Sequence, residues 1–156
     1  MPGAFLHPFA KPTRESFIRI VRGEGALLYT ADGRAVVDGM ASLWYCAIGH
    51  GRKEMADAIA AQVSTLEAYS AFDPFTTDPA EELAEVLRDI GPMPGSRVFF
   101  TGSGSESVDT VMKLVRIAHV QAGQPQRKLI ISRVRGYHGT AYGGTSAQGI
   151  APNREN

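Results

Sequence analysis

The stretch whose reading decides the fold is FFTGSGSESVDTVMKLVR, Phe99 to Arg116. Two aromatics lead into a run of small and hydroxylated residues broken by one acid, and an apolar-periodic segment follows. Arg97–Thr101 (RVFFT) reads as a strand. Val108, Val111, Met112 and Val115 then mark the buried stripe of a helix over about Glu106 to Gln121. After Gly123, Lys128–Ser132 (KLIIS) reads as a second short strand, so the region predicts a βαβ unit with parallel strands. Phe99 and Phe100 are read as core.

Working outward, Asp78-Pro79 opens a helix with Asp as N-cap, Pro at the first helical position and Glu81 three residues after the cap. Leu83, Val86, Leu87 and Ile90 form its apolar face, and Gly91-Pro92 ends it. Upstream, Met55, Ile59, Val63 and Leu66 are spaced for another helix starting near Arg52. Gly25–Gly39 (GALLYTADGRAVVDG) reads as two strands around the turn signal Asp32-Gly33. Ala41–Ile48 is an apolar run ending at Gly49-His50-Gly51, and residues 1 to about 17 form an irregular arm. The tail from Gly136 is rich in Gly, Ser and Thr, with no later strand.

The chain has 156 residues, 44% hydrophobic and 21% charged, with 16 basic residues balancing 16 acidic ones. That composition fits a globular protein and gives no net field for nucleic acid or an anionic membrane. No apolar run has the length of a membrane span, and the first residues do not look like a signal peptide. One cysteine, Cys46, cannot form an internal disulfide, and scattered histidines give no metal-site spacing. A cytoplasmic location is the expectation.

At the carboxyl end of a strand and the start of a helix, Thr101–Ser107 is placed to hold an anion. Gly102 and Gly104 allow close approach to peptide nitrogens, and Ser103, Ser105 and Ser107 add hydroxyls. Glu106 does not suit phosphate and must point away from it. A P-loop requires Gly-Lys-Ser/Thr, but Gly104 is followed by Ser105-Glu106. The dinucleotide fingerprint is matched only as Gly102-x-Gly104-x-x-Ser107, with Ser132 and Arg133 where its acid belongs. An unliganded glycine-rich connector remains open from the turn alone.

Other segments narrow the choice. Thr101–Arg116 resembles the phosphate cradle of class III aminotransferases, pyridoxal-phosphate enzymes of fold type I. Gly136-Tyr137-His138-Gly139-Thr140 resembles that family's Tyr-His-Gly segment. Asp32-Gly33-Arg34, the run Asp38–Trp44 and Gly49-His50-Gly51 resemble the N-terminal hairpin and Trp-bearing stretch of the ω-transaminase branch. The resemblance covers about residues 20–156, with Ser107 and Val108 departing from the family's usual Ala-Asn.

The resemblance implies an α/β fold: an N-terminal arm and hairpin over 1–50, then the start of a fold type I parallel-sheet large domain over 51–156, incomplete. It implies pyridoxal 5′-phosphate as cofactor, held by Gly104 and Ser105 with Ser103 beside them. Tyr137 would stack on the pyridine ring, and His138 lies in the same motif. Trp44, with Phe72, would line the substrate pocket. Small-molecule amine and keto-acid substrates and a homodimer are implied as partners. The family's Schiff-base lysine and the acid under the pyridine nitrogen match none of Lys11, Lys53, Lys113 or Lys128 or their surroundings. The chain is therefore expected to be the front part of such an enzyme and inactive alone. The alternatives are a truncated, non-catalytic binding or dimerisation module and a nucleotide-dependent oxidoreductase.

Overall fold

A computed structural model describes residues 4–155. The chain divides into two units, Met1–Thr76 and Thr77–Asn156.

The first unit carries a three-stranded antiparallel meander: β1 (Ile20–Glu24), β2 (Leu27–Thr30) and β3 (Ala35–Val37), in the order β1-β2-β3. The expected hairpin around Asp32-Gly33 is β2–β3, with Leu27, Leu28 and Tyr29 opposite Val37, Val36 and Ala35. Its turn is fixed by Thr30, which is almost wholly buried. The Thr30 hydroxyl accepts from Arg34 N–H at 3.0 Å and is also bonded to the Asp32 carboxylate. Gly33 supplies the left-handed residue, at φ 87°. Strand β1 was missing from the sequence reading because IVRGE lacks a two-fold alternation. Its register shifts between Ile20 and Arg22, and the Arg22 guanidinium lies 3.7 Å from the centre of the Tyr29 ring on β2. Helix α1 (Lys53–Thr65) follows at the expected place.

The second unit begins with α2 (Asp78–Ile90), whose N-cap is Thr77, one residue earlier than the sequence suggested. Pro79 sits in the first turn, where its missing N–H costs nothing, and Gly91 caps the other end. Helix α3 spans Gly104–Gln121. A short helix, α4 (Tyr142–Ala147), and a single 3₁₀ turn, Ala151–Asn153, occupy the tail that the sequence showed only as polar loop.

The two parallel strands are not formed. Arg97–Thr101 and Lys128–Ser132 have no ladder among the described residues; the one parallel bridge nearby pairs Val134 with Gly149. A strand exists through its partner's hydrogen bonds, and neither segment has a partner. The consequence reaches the side chains. No hydrophobic residue is buried among the described residues, and Phe99, Phe100, Leu129 and Ile131 are exposed, not core. On α3 the expected buried stripe is only half covered at Val108 and Met112 and open at Val111 and Val115. The helix has the right periodicity but no sheet face to meet.

Replacing Thr30 by Val removes the hydroxyl and leaves the Arg34 N–H without its side-chain acceptor. The expected loss is about 1–2 kcal/mol, read as faster amide exchange in β2 and β3. Asp32 adds a pH signature. The Thr30 hydroxyl, then Arg34, holds its carboxyl below the ordinary range. That stabilisation is present above the unfolded carboxyl value, near pH 4, and is lost as pH falls through the lowered folded value. In Thr30→Val the acid-induced change should therefore begin at higher pH.

Candidate functional site

The start of α3 is built by a capping arrangement that the sequence TGSGSES encodes locally. Ser103 is the N-cap, with extended backbone, and its Oγ accepts from Glu106 N–H at 3.2 Å. The Glu106 carboxylate reaches back to accept from Gly102 N–H at 2.9 Å. This resembles a capping box whose return bond falls one residue before the cap. It also explains the acid: Glu106 is spent on the backbone behind the turn. Ser107 Oγ donates to Ser103 O at 3.1 Å and is bonded to the Thr101 hydroxyl.

Two donors are left over. The N–H groups of Gly104 and Ser105 have no acceptor among the described residues. A Cβ at Gly104 would meet nothing within 4 Å, so the backbone is uncrowded on that side. Open N–H groups at the positive end of an 18-residue helix favour an anion.

The loop bearing Tyr137 and His138 comes to this turn. Thr140 N–H donates to Ser105 Oγ at 2.9 Å, leaving the Ser105 hydroxyl proton available as a donor. Gly139 makes the approach possible. At φ 110° it occupies backbone space that side chains rarely adopt, and a Cβ there would lie 2.6–2.9 Å from Ser105. The structure thus brings Ser103, Gly104 and Ser105 together with the Tyr137–Thr140 loop. Tyr137 is 47% exposed, with ring area open to a ligand. His138 packs back on its own loop: its Nε2 lies 3.3 Å from where a Gly136 Cβ would stand.

Sequence reasoning missed Asp109, whose carboxylate accepts from Gly144 N–H at 2.9 Å. The signal available was the pairing of an acid one turn after Ser105 with the Gly143-Gly144 step.

Trp44 and Phe72 belong to the first unit and are both largely exposed, not core. Trp44 closes an unusual turn. Ala41, Ser42, Leu43 and Trp44 all have positive φ, from 47° to 85°, without a glycine among them. Each such residue costs roughly 1–2 kcal/mol, so the turn has to be held from outside. Asp38 holds it: its carboxylate accepts from Met40 N–H at 3.2 Å, Ser42 N–H at 2.8 Å and His50 Nε2 at 2.8 Å. His50 is fixed in turn by backbone bonds in both directions with Gly25, and its ring packs where any Gly23 side chain would stand. His50 is therefore a clasp for the Trp44 turn. Its hydrogen bond, with those from Ser42 and Met40, holds the Asp38 carboxyl below the ordinary carboxylate range.

The described residues contain no group of three or more His, Cys, Asp or Glu placed to hold a metal ion. No helix among them is long and apolar enough to cross a membrane.

A family model described as Aminotransferase class-III matches residues 9–153. The putrescine–pyruvate aminotransferase of Pseudomonas aeruginosa is 39% identical over 148 residues, 93% of this chain and 32% of that protein. The β-alanine–pyruvate aminotransferase of the same organism is 43% identical over 136 residues, 87% of this chain and 30% of that protein. The crystal structure of the ω-transaminase from Pseudomonas jessenii in complex with PMP superposes with a TM-score of 0.91 at 37% identity. It is matched over 97% of this chain and 34% of its own. The chain thus spans about a third of the length of the curated relatives it matches.

Two outcomes are expected. Gly139→Ala should displace the Tyr137 loop from Ser105, at a cost of about 1–3 kcal/mol for the strained backbone alone, seen as raised amide exchange at Thr140. Trp44 is the single tryptophan of the chain, so its emission reports the clasp directly. Because the Asp38 carboxyl is lowered, the clasp is held above about pH 4 and released as pH falls through the folded value. Emission should stay constant down to that range and then shift, whereas Asp38→Asn should show the altered spectrum at every pH.

Proposed function

Because the chain belongs to the class III aminotransferase family, we propose that it forms one side of a pyridoxal 5′-phosphate site in an aminotransferase. That enzyme would move an amino group from an amine or ω-amino acid to a keto acid such as pyruvate. The family uses pyridoxal phosphate, and a similar structure contains PMP. The observation that carries the reading is the pair of N–H groups at Gly104 and Ser105 left without an acceptor among the described residues. Their chemistry fits a phosphate: two peptide donors, a serine hydroxyl and a helix start, with the one nearby acid turned to Gly102.

In this reading each residue has a limited task. Gly104 and Ser105 hold the phosphate through their N–H groups, and Ser105 adds its hydroxyl proton. Ser103 shapes the turn by capping α3, which takes up the Glu106 N–H and leaves those of Gly104 and Ser105 for the ligand. Tyr137 lays its ring flat on the pyridine and sets its tilt, a contact of about 0.5–1.5 kcal/mol. His138 braces the loop from behind. The family resemblance would assign Trp44 and Phe72 to the lining of the amine pocket. When bound, the cofactor supplies an electron sink for the carbon that carries the amino group. The family's Schiff-base lysine and the acid beneath the pyridine nitrogen match no residue of this chain, so in this reading both would be supplied from outside these 156 residues. A homodimer in the cytoplasm completes the reading. Both curated relatives named above are pyruvate aminotransferases, which supports pyruvate as acceptor.

Titration of the purified protein with pyridoxal phosphate, followed by visible absorbance, tests this. The expected outcome is saturable binding, opposed by inorganic phosphate and weakened about tenfold by Tyr137→Ala, the size of one ring stack. The 156 residues alone should transfer no amino group between β-alanine and pyruvate. A protein that responds to NAD or NADP and not to pyridoxal phosphate would sink the reading.

A further inference from the structure

Ser105 and Asp109 stand one helical turn apart on α3, so their side chains leave the same face. Both are taken up by the loop that carries Tyr137. Ser105 Oγ accepts from Thr140 N–H at 2.9 Å. Asp109 Oδ1 accepts from Gly144 N–H at 2.9 Å, and Oδ2 lies 3.4 Å from Gly143 N. Gly143 and Gly144 belong to the first turn of α4, and the N-cap of α4, Ala141, has no side-chain cap of its own. Asp109 thus caps one helix from the body of another. The fit is tight: a Cβ at Gly143 would lie 2.7 Å from Asp109 Oδ1, and a Cβ at Gly144 would lie 2.3 Å from His138 O.

The far end of α4 is tied to the near end of the loop. Gly149 N–H donates to Gly136 O at 2.9 Å, and Arg135 N–H donates to Gly149 O at 2.9 Å. Only glycine fits at 149, where a Cβ would lie 2.0 Å from Arg133 O. Residues 134–149 are thus tied at their two ends, with Tyr137 next to Gly136 and α4 ending two residues before Gly149. A shift of α4 would reach Tyr137 through the bond between Gly149 and Gly136.

We propose that Asp109 is a positioning residue: through α4 it sets the height of the Tyr137 ring over the phosphate-holding N–H groups of α3. The inference rests on the pyridoxal-phosphate reading and adds to it a residue that touches neither substrate nor cofactor.

The test compares Asp109→Ala and Asp109→Asn with the wild-type holoprotein at full length. Three quantities are read: the Kd for pyridoxal phosphate, the induced circular dichroism of the bound cofactor, and the Tm of the apoprotein. Asparagine keeps an oxygen for the Gly144 N–H, whereas alanine keeps none. Asp109→Ala is expected to raise Kd about tenfold, the scale of one charged hydrogen bond, and to change the induced dichroism. Asp109→Asn is expected to recover both, with the Tm of the apoprotein moving little in either. Wild-type Kd and dichroism in Asp109→Ala would overturn the proposal. So would an asparagine variant as impaired as the alanine one, or losses that merely track Tm. Should Asp109→Ala fail to fold, Gly143→Ala puts a Cβ 2.7 Å from Asp109 Oδ1 and breaks the contact whether the carboxylate or α4 gives way, and a wild-type Kd and dichroism there overturn the proposal equally. A wild-type protein that takes up no pyridoxal phosphate is a different failure, that of the cofactor reading itself.

Discussion

The seating of Gly139 against Ser105 is the contact through which the candidate site exists. Residues 34 positions apart in the chain meet there, and the meeting needs a residue with no side chain at φ 110°. Through it, a locally encoded helix start and a separately encoded loop become one surface. Without it, α3 still begins at Gly104 and still offers two peptide donors, but Tyr137 has no fixed relation to them. Ser105 is central because its hydroxyl works in two directions. Its oxygen accepts from Thr140, and its proton remains for whatever lies over the turn.

A comparable economy governs the first unit. The turn ending at Trp44 runs against the handedness that L-residues prefer, and Asp38 overrides the preference by gathering backbone donors and the His50 ring on one carboxylate. His50 is in turn locked to the β1–β2 connection by the paired backbone bonds with Gly25. In both units a polar side chain with several partners holds backbone that would otherwise relax.

What the sequence revealed follows from the range of the forces involved. The Asp32-Gly33 hairpin and the start of α2 near Asp78-Pro79 are written within a few residues and were legible; α3 was legible as a helix, but its Ser103-capped start lies two residues before the expected Glu106. The anion-friendly turn at Gly104 and Ser105 was legible for the same reason. Strand β1 was not, because a bulge next to Val21 breaks the alternation that announces a strand. The parallel strands were expected from composition, yet RVFFT and KLIIS become strands only through a neighbour's hydrogen bonds. The left-handed turn Ala41–Trp44 has no glycine to announce it, and the Asp38 carboxylate that holds it is itself seated by His50, further along the chain. Asp109 was hidden in the polar face of α3, where an acid ordinarily faces water; its partners become apparent only when Gly143 and Gly144 arrive.

The span from Ser105 to Thr140 also sets an order of events. The capped start of α3 can form on the sub-microsecond scale of a helix, from neighbours alone. Docking the Tyr137 loop has to close a loop of some 34 residues, at an entropic cost of about 3 kcal/mol before any constant term. Against this stand the bonds at Thr140 and Gly144, one neutral and one to a carboxylate, together about 2–4 kcal/mol. The turn at Gly104 and Ser105 therefore depends on its neighbours alone, while its meeting with the Tyr137 loop waits on long-range closure. A ligand that touches both halves would act as the missing strut between them.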